Sequence, residues 1–134
     1  MIQLYNGDCL EVMQQMIDQN KKVDAIITSP PYNMNLRFHT GKYMSRWGWK
    51  GNVGAFSTKY DNYRDDLPME EYFKFQDEFI SKALQVTDLM FYNIQMITGN
   101  KVALLQLMGK YAEKIKEIII WNKCYGQQAM QKGV

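Results

Sequence analysis

Apolar residues recur at helical spacing in three stretches of this chain and run together in four others. Leu10, Met13 and Ile17 share one helical face. Asp8 stands where an N-cap belongs, and Glu11 three residues later completes a capping-box pattern. Asn20-Lys21-Lys22 closes that helix. Met69, Tyr72, Phe73, Ile80, Ala83 and Leu84 mark a second helix, announced by Asp66 and Pro68 and reaching Val86. Leu104, Leu107, Met108, Tyr111 and Ala112 mark a third, opened by Asn100. The runs Ile2–Tyr5, Val23–Thr28, Leu89–Ile94 and Glu117–Trp121 have the length of strands. Strands alternating with helices predict an α/β domain with a mainly parallel sheet of about four strands, flanked by helices. The first two strands and the helix between them form a compact βαβ unit. Asp8-Cys9 and Ser29-Pro30 are then expected at the carboxyl ends of neighbouring parallel strands, the rim where open sheets bind ligands.

The second strand ends abruptly at Thr28-Ser29-Pro30-Pro31-Tyr32-Asn33. Two consecutive prolines cannot continue a central strand, and Pro31 pushes Pro30 towards an extended conformation. The outcome is a stiff rim carrying a hydroxyl, carbonyls and an aromatic ring. Such a set suits an exocyclic amino group. Ser29 Oγ and the Pro30 carbonyl can accept its two hydrogens, so that the nitrogen pyramidalises and its lone pair faces an electrophile. Tyr32 offers a face on which a base taken out of a duplex can stack. Taken alone, the same residues also read as a Pro-Pro turn with a packing tyrosine.

Residues 34–60 differ in kind. They hold Arg37, Lys42, Arg46, Lys50 and Lys59 and no acidic residue, with Phe38, Tyr43, Trp47, Trp49, Phe56 and Tyr60 interleaved. The segment's charge is +5, which leaves −3 for the rest of a chain whose total is +2. Glycines at 41, 48, 51 and 54 oppose a regular helix. Loops this long in a compact domain are usually functional or disordered. Basic residues among aromatics suit phosphate contact with base stacking, so Arg37, Arg46, Trp47, Trp49 and Lys50 are candidate substrate-binding residues. A solvated loop with locally packed tryptophans is the plainer alternative. His39 reads as a polar loop residue.

Composition narrows the classes. At 134 residues the chain suits a single domain, and its modest net charge excludes a uniformly basic nucleic-acid protein. Cys9 and Cys124 are too few for a disulfide framework and suit a reduced cytosol. No apolar run approaches a membrane span, and no Cys, His and carboxylate cluster has metal-ligand spacing.

Asp24-Ala25-Ile26-Ile27-Thr28-Ser29-Pro30-Pro31-Tyr32-Asn33 resembles motif IV of the amino-group DNA methyltransferases, which methylate N4 of cytosine or N6 of adenine. Gly7-Asp8-Cys9-Leu10-Glu11 resembles the segment that often precedes it, and Tyr63 to Tyr72 resembles the entry to the next helix. The resemblance implies a partial Rossmann-like methyltransferase fold over residues 1–134, with the basic-aromatic loop at 34–66. It implies double-stranded DNA as substrate and S-adenosylmethionine as methyl donor, in the cytoplasm of a prokaryotic or phage-infected cell. By the same resemblance Ser29, Pro30 and Tyr32 are catalytic, and Asp8, Cys9 and Ser29 lie near the cofactor. Pro31, Tyr32 and Asn33 line the substrate. Ser29 in the first motif position favours N4 of cytosine over N6 of adenine. The Phe-x-Gly-x-Gly turn that holds the cofactor in this family does not occur in these residues. The order of motifs resembles the permuted type, in which that turn follows later. A further carboxyl-terminal part or a second polypeptide is therefore expected to carry it. Two alternatives stand beside this: a non-catalytic DNA-binding or subunit-pairing remnant, and a protein-glutamine methyltransferase, which carries Asn in place of Ser29.

Overall fold

The computed structural model describes residues 2–33 and 66–122, together with the backbone of a short hairpin at 38–39 and 42–43. Arg37, Arg46, Trp47, Trp49 and Lys50, and most of the basic-aromatic loop, lie outside the described residues.

Helix α1 spans Cys9–Asp18. Asp8 caps it, its side chain accepting from the Leu10 N–H at 2.8 Å. At the other end Asn20 takes a left-handed conformation, φ 52°. The Asn20 N–H donates to the Ile17 carbonyl at 2.9 Å and the Lys21 N–H to the Met16 carbonyl at 2.8 Å, the two bonds of a Schellman stop. Strand β1, Ile26–Thr28, follows. The hairpin β2, Phe38–His39, and β3, Lys42–Tyr43, is antiparallel. Helix α2 spans Met69–Val86, β4 spans Met90–Tyr92, and α3 spans Lys101–Lys110, with a 3-10 turn at Ala112–Lys114.

Helix α2 is the centre of the packing. Tyr72, Gln76, Phe79, Ile80, Ala83 and Val86 are buried along one stripe. Phe79, Ile80, Ala83 and Val86 join Met13 of α1 and Leu107 of α3 in one core, with Ile26, Met90 and Tyr92 of the strands packed against it. Strand β1 pairs with β4 in parallel, Ile26 opposite Met90 and Thr28 opposite Tyr92. Alternation turns Ile26, Thr28, Met90 and Tyr92 to the helices, and leaves Ile27 82% and Phe91 46% exposed.

The four-strand expectation is corrected here: the described parallel sheet has two strands. Ile2–Tyr5 and Glu117–Trp121 are not strands. Ile2 is 89% and Leu4 92% exposed, and Ile118 to Trp121 are likewise exposed. Apolar pattern supplies propensity, but a strand exists only where a partner completes its ladder. The βαβ unit is therefore β1–α2–β4, not one built on Ile2–Tyr5, and Asp8-Cys9 does not end a strand.

A polar clasp joins α2 to α3. Asp77 Oδ1 accepts from Lys110 Nζ at 2.6 Å and from the Tyr111 hydroxyl at 2.8 Å. Burial, then the bond to Asp77, pushes the Tyr111 phenol up to about 12. Burial would raise the Asp77 carboxyl, but the bonds from Lys110 and Tyr111 outweigh it and hold the group below its usual value. A depressed carboxylate stabilises the fold above its unfolded pKa and loses that as pH falls. A raised phenol stabilises below its unfolded pKa and loses that as pH rises. Tyr111→Phe is thus expected to cost on the order of 1 kcal/mol near neutrality. Urea unfolding across pH should show the difference from wild type shrinking in acid below the carboxylate range and in alkali above about pH 10. A difference that does not vary with pH would count against the clasp.

Candidate methyl-acceptor rim

Beyond β1 the chain turns over the carboxyl ends of the two parallel strands, and several polar groups of the turn are held by protein partners. Ser29 is exposed and Pro30 buried. The Pro31 carbonyl accepts from the Tyr72 hydroxyl at 2.8 Å and from Gln76 Nε2 at 3.4 Å. Gln76, wholly buried in α2, accepts in turn from the Tyr92 hydroxyl at 2.6 Å. The Tyr32 carbonyl accepts from Asn100 Nδ2 at 2.9 Å. Asn100, itself wholly buried, also donates to the Gln95 carbonyl and accepts from the Ile97 N–H.

Asn33 locks the far end of the rim. It is 4% exposed and sits at φ 56°, the left-handed region that asparagine tolerates better than most residues. Its Nδ2 donates to the carbonyls of Leu67 and Gly99, and its Oδ1 accepts from the Leu67 N–H. Gly99 lies so close that a Cβ there would stand 1.9 Å from the Asn33 carbonyl oxygen. The structure places Asn33 behind the rim as a clamp, with both amide atoms committed to protein, and not on its open side.

What stays open is specific. Among the described residues no donor reaches the Pro30 carbonyl. Ser29 Oγ lies 2.9 Å from the Tyr32 hydroxyl. Asn93, just past β4, is brought alongside because its N–H donates to the Thr28 carbonyl at 2.9 Å. Its Nδ2 is 3.4 Å from Ser29 Oγ and 3.4 Å from the Tyr32 oxygen.

Ser29, Pro30, Pro31 and Tyr32 are thus one constellation. Asp8 and Cys9 belong to the start of α1 instead, with Asp8 engaged in its cap. Cys9 is exposed, and desolvation followed by the Asp8 charge raises its thiol, which disfavours the thiolate. Sequence reasoning missed Asn93, Gln76, Gly99 and the clamping role of Asn100. Gln76 falls on the apolar stripe of α2, and a polar residue at a core position was the available signal. Among the described residues no group of three His, Cys, Asp or Glu could hold a metal ion, and no helix is long and apolar enough to cross a membrane.

A family model described as DNA methylase, of the N6/N4 type, matches residues 23–133. The chain belongs to the amino-group DNA methyltransferase family. The chain is 47% identical over 38 residues to the type II methyltransferase M.BamHI of Bacillus amyloliquefaciens, a match covering 28% of this chain and 8% of that protein. It is 24% identical over 139 residues to M.BglII of Bacillus subtilis, covering 96% of this chain and 31% of that protein. The chain therefore spans less than a third of the curated relatives it matches. No solved structure matches it.

Proposed function

We propose that this chain presents an exocyclic amino group of a base, turned out of double-stranded DNA, for methylation. One observation carries the reading: the Pro31 and Tyr32 carbonyls are taken by protein donors, whereas the neighbouring Pro30 carbonyl meets no donor among the described residues and the exposed Ser29 Oγ, beside the Tyr32 hydroxyl and Asn93, keeps room for one more partner. Two acceptors match two N–H bonds. Ser29 and Pro30 orient the nitrogen so that its lone pair leaves the plane of the base, and Tyr32 stacks on the ring. No strong base is needed, because the amino proton becomes acidic only as the new bond forms.

Family members draw the methyl group from S-adenosylmethionine, which supplies an electrophilic carbon when bound. The described residues fit the acceptor side of that reaction. On this reading they supply at most part of a cradle for the donor, with Asp8 engaged in a helix cap and Asp8-Cys9 at the start of α1 and not at a strand end. We assign the cradle to polypeptide beyond these residues, in the same chain or a second one. That assignment is supported by the small share of M.BglII that the chain spans. The segment 34–60, with its +5 charge, is the proposed contact to DNA phosphates, and Ser29 favours N4 of cytosine over N6 of adenine.

The test is mass spectrometry of nucleosides from DNA incubated with S-adenosylmethionine and the full-length enzyme, this chain together with the polypeptide that carries the cradle, beside calorimetry of that enzyme with the cofactor. N4-methylcytosine is expected. N6-methyladenine alone would overturn the choice of base but not the amino-acceptor role. Neither base, with no heat of cofactor binding, would favour a non-catalytic remnant.

A further inference from the structure

Asn93 is absent from every motif of the sequence, yet its side chain reaches both hydroxyls of the rim. Its Nδ2 stands 3.4 Å from Ser29 Oγ and 3.4 Å from the Tyr32 oxygen, while those two oxygens are 2.9 Å apart. Bonds of 3.4 Å are long, and the amide's two hydrogens allow it to donate to both oxygens, one to each. Its position is not accidental to a floppy side chain: the Asn93 N–H is bonded to the Thr28 carbonyl, which ties the end of β4 to the end of β1.

The proton count gives this triangle a consequence. A serine oxygen has one hydrogen and two lone pairs. An amide N–H aimed at Ser29 Oγ occupies one lone pair and bars the serine proton from that side. The proton then has two places left: toward Tyr32, or outward to the substrate. Toward Tyr32, the outward site is a lone pair, which an amino N–H can use. Outward, the hydroxyl would present hydrogen to hydrogen and repel the amino group. We propose that Asn93 is a positioning residue: its amide holds the Ser29 hydroxyl with its proton on Tyr32 and a lone pair facing the target amino group. This rests on the amino-acceptor reading above and adds to it the residue that sets the acceptor's polarity.

Methyl transfer to DNA by the full-length enzyme, with its cofactor cradle present, and by its Asn93→Ala, Tyr32→Phe and double variants provides one test. Asn93→Ala is expected to lower kcat about tenfold, the worth of one well-placed hydrogen bond, and to leave KM for DNA within about twofold. In Tyr32→Phe the serine proton has lost its acceptor, so adding Asn93→Ala there is expected to cost less than about threefold. Equal losses in both backgrounds, or a raised KM with unchanged kcat, would overturn the proposal. A wild type that transfers no methyl group would count against the function itself, and a second measurement is independent of that. The Asn93 side-chain amide signals in an NMR spectrum of the 134-residue chain are expected to move in both Ser29→Ala and Tyr32→Phe, while those of Asn100 stay. If the Asn93 signals move in neither, the proposal fails whether or not the chain is active.

Discussion

Gly99→Ala is expected to lower stability by about 3 kcal/mol, near the upper end of what overpacking costs. The added Cβ would stand 1.9 Å from the Asn33 carbonyl oxygen, which is backbone and has no rotamer to escape into. The two segments must separate, and the Asn33 to Gly99 bond of 2.8 Å goes with them. For a domain of this size the loss corresponds to roughly 10 °C in melting temperature. Asn33→Ala should fall in the same range, because it strands the Leu67 N–H and two carbonyls and places an alanine at φ 56°. Asn33→Gly separates the causes. Glycine accepts the left-handed backbone, so it is expected to recover about 1 kcal/mol of the alanine loss and no more. Thermal unfolding of the three variants decides. A Gly99→Ala protein that melts with wild type would mean that the two segments do not meet.

Ser29→Ala is expected to reduce kcat for methyl transfer about a hundredfold, while duplex affinity changes little. The side chain is exposed and packs into no core, so its loss should not be read as a folding defect. Removing one preorganised hydrogen-bonding group at a reacting centre commonly costs 10²-fold or more. Ser29→Asp keeps an acceptor at the position and is expected to retain more of the rate than Ser29→Ala. Single-turnover rates at saturating DNA and cofactor, read beside the melting temperature, give the answer. An alanine variant within threefold of wild type would remove Ser29 from the chemistry and leave the Pro-Pro turn as mere architecture.

The local half of the structure was legible in the residues. Asp8 caps α1 because a carboxylate there answers an orphan N–H, and Asp66 with Pro68 does announce α2, which ends at Val86. Both are decided within a few residues, α1 by its cap, α2 by the proline before its first turn, and each by the period of its apolar positions. Two prolines had to end β1 for the same local reason, since neither ring can donate to a ladder. Pairing was not legible. Ile2–Tyr5 and Glu117–Trp121 look like strands as much as Met90–Tyr92 does, yet among the described residues only β4 meets β1, because pairing depends on which segment α2 delivers alongside and not on propensity. The rim's inner support was hidden for a related reason. Asn33, Gln76 and the adjacent Gly99 and Asn100 come from three places along the chain, and a residue reveals nothing of its partner until the fold brings that partner within 3 Å or so. Asn93 is the clearest case. The apolar pattern places it inside a strand running to Ile94, and it stands against Ser29 because β4 ends at Tyr92, level with the end of β1.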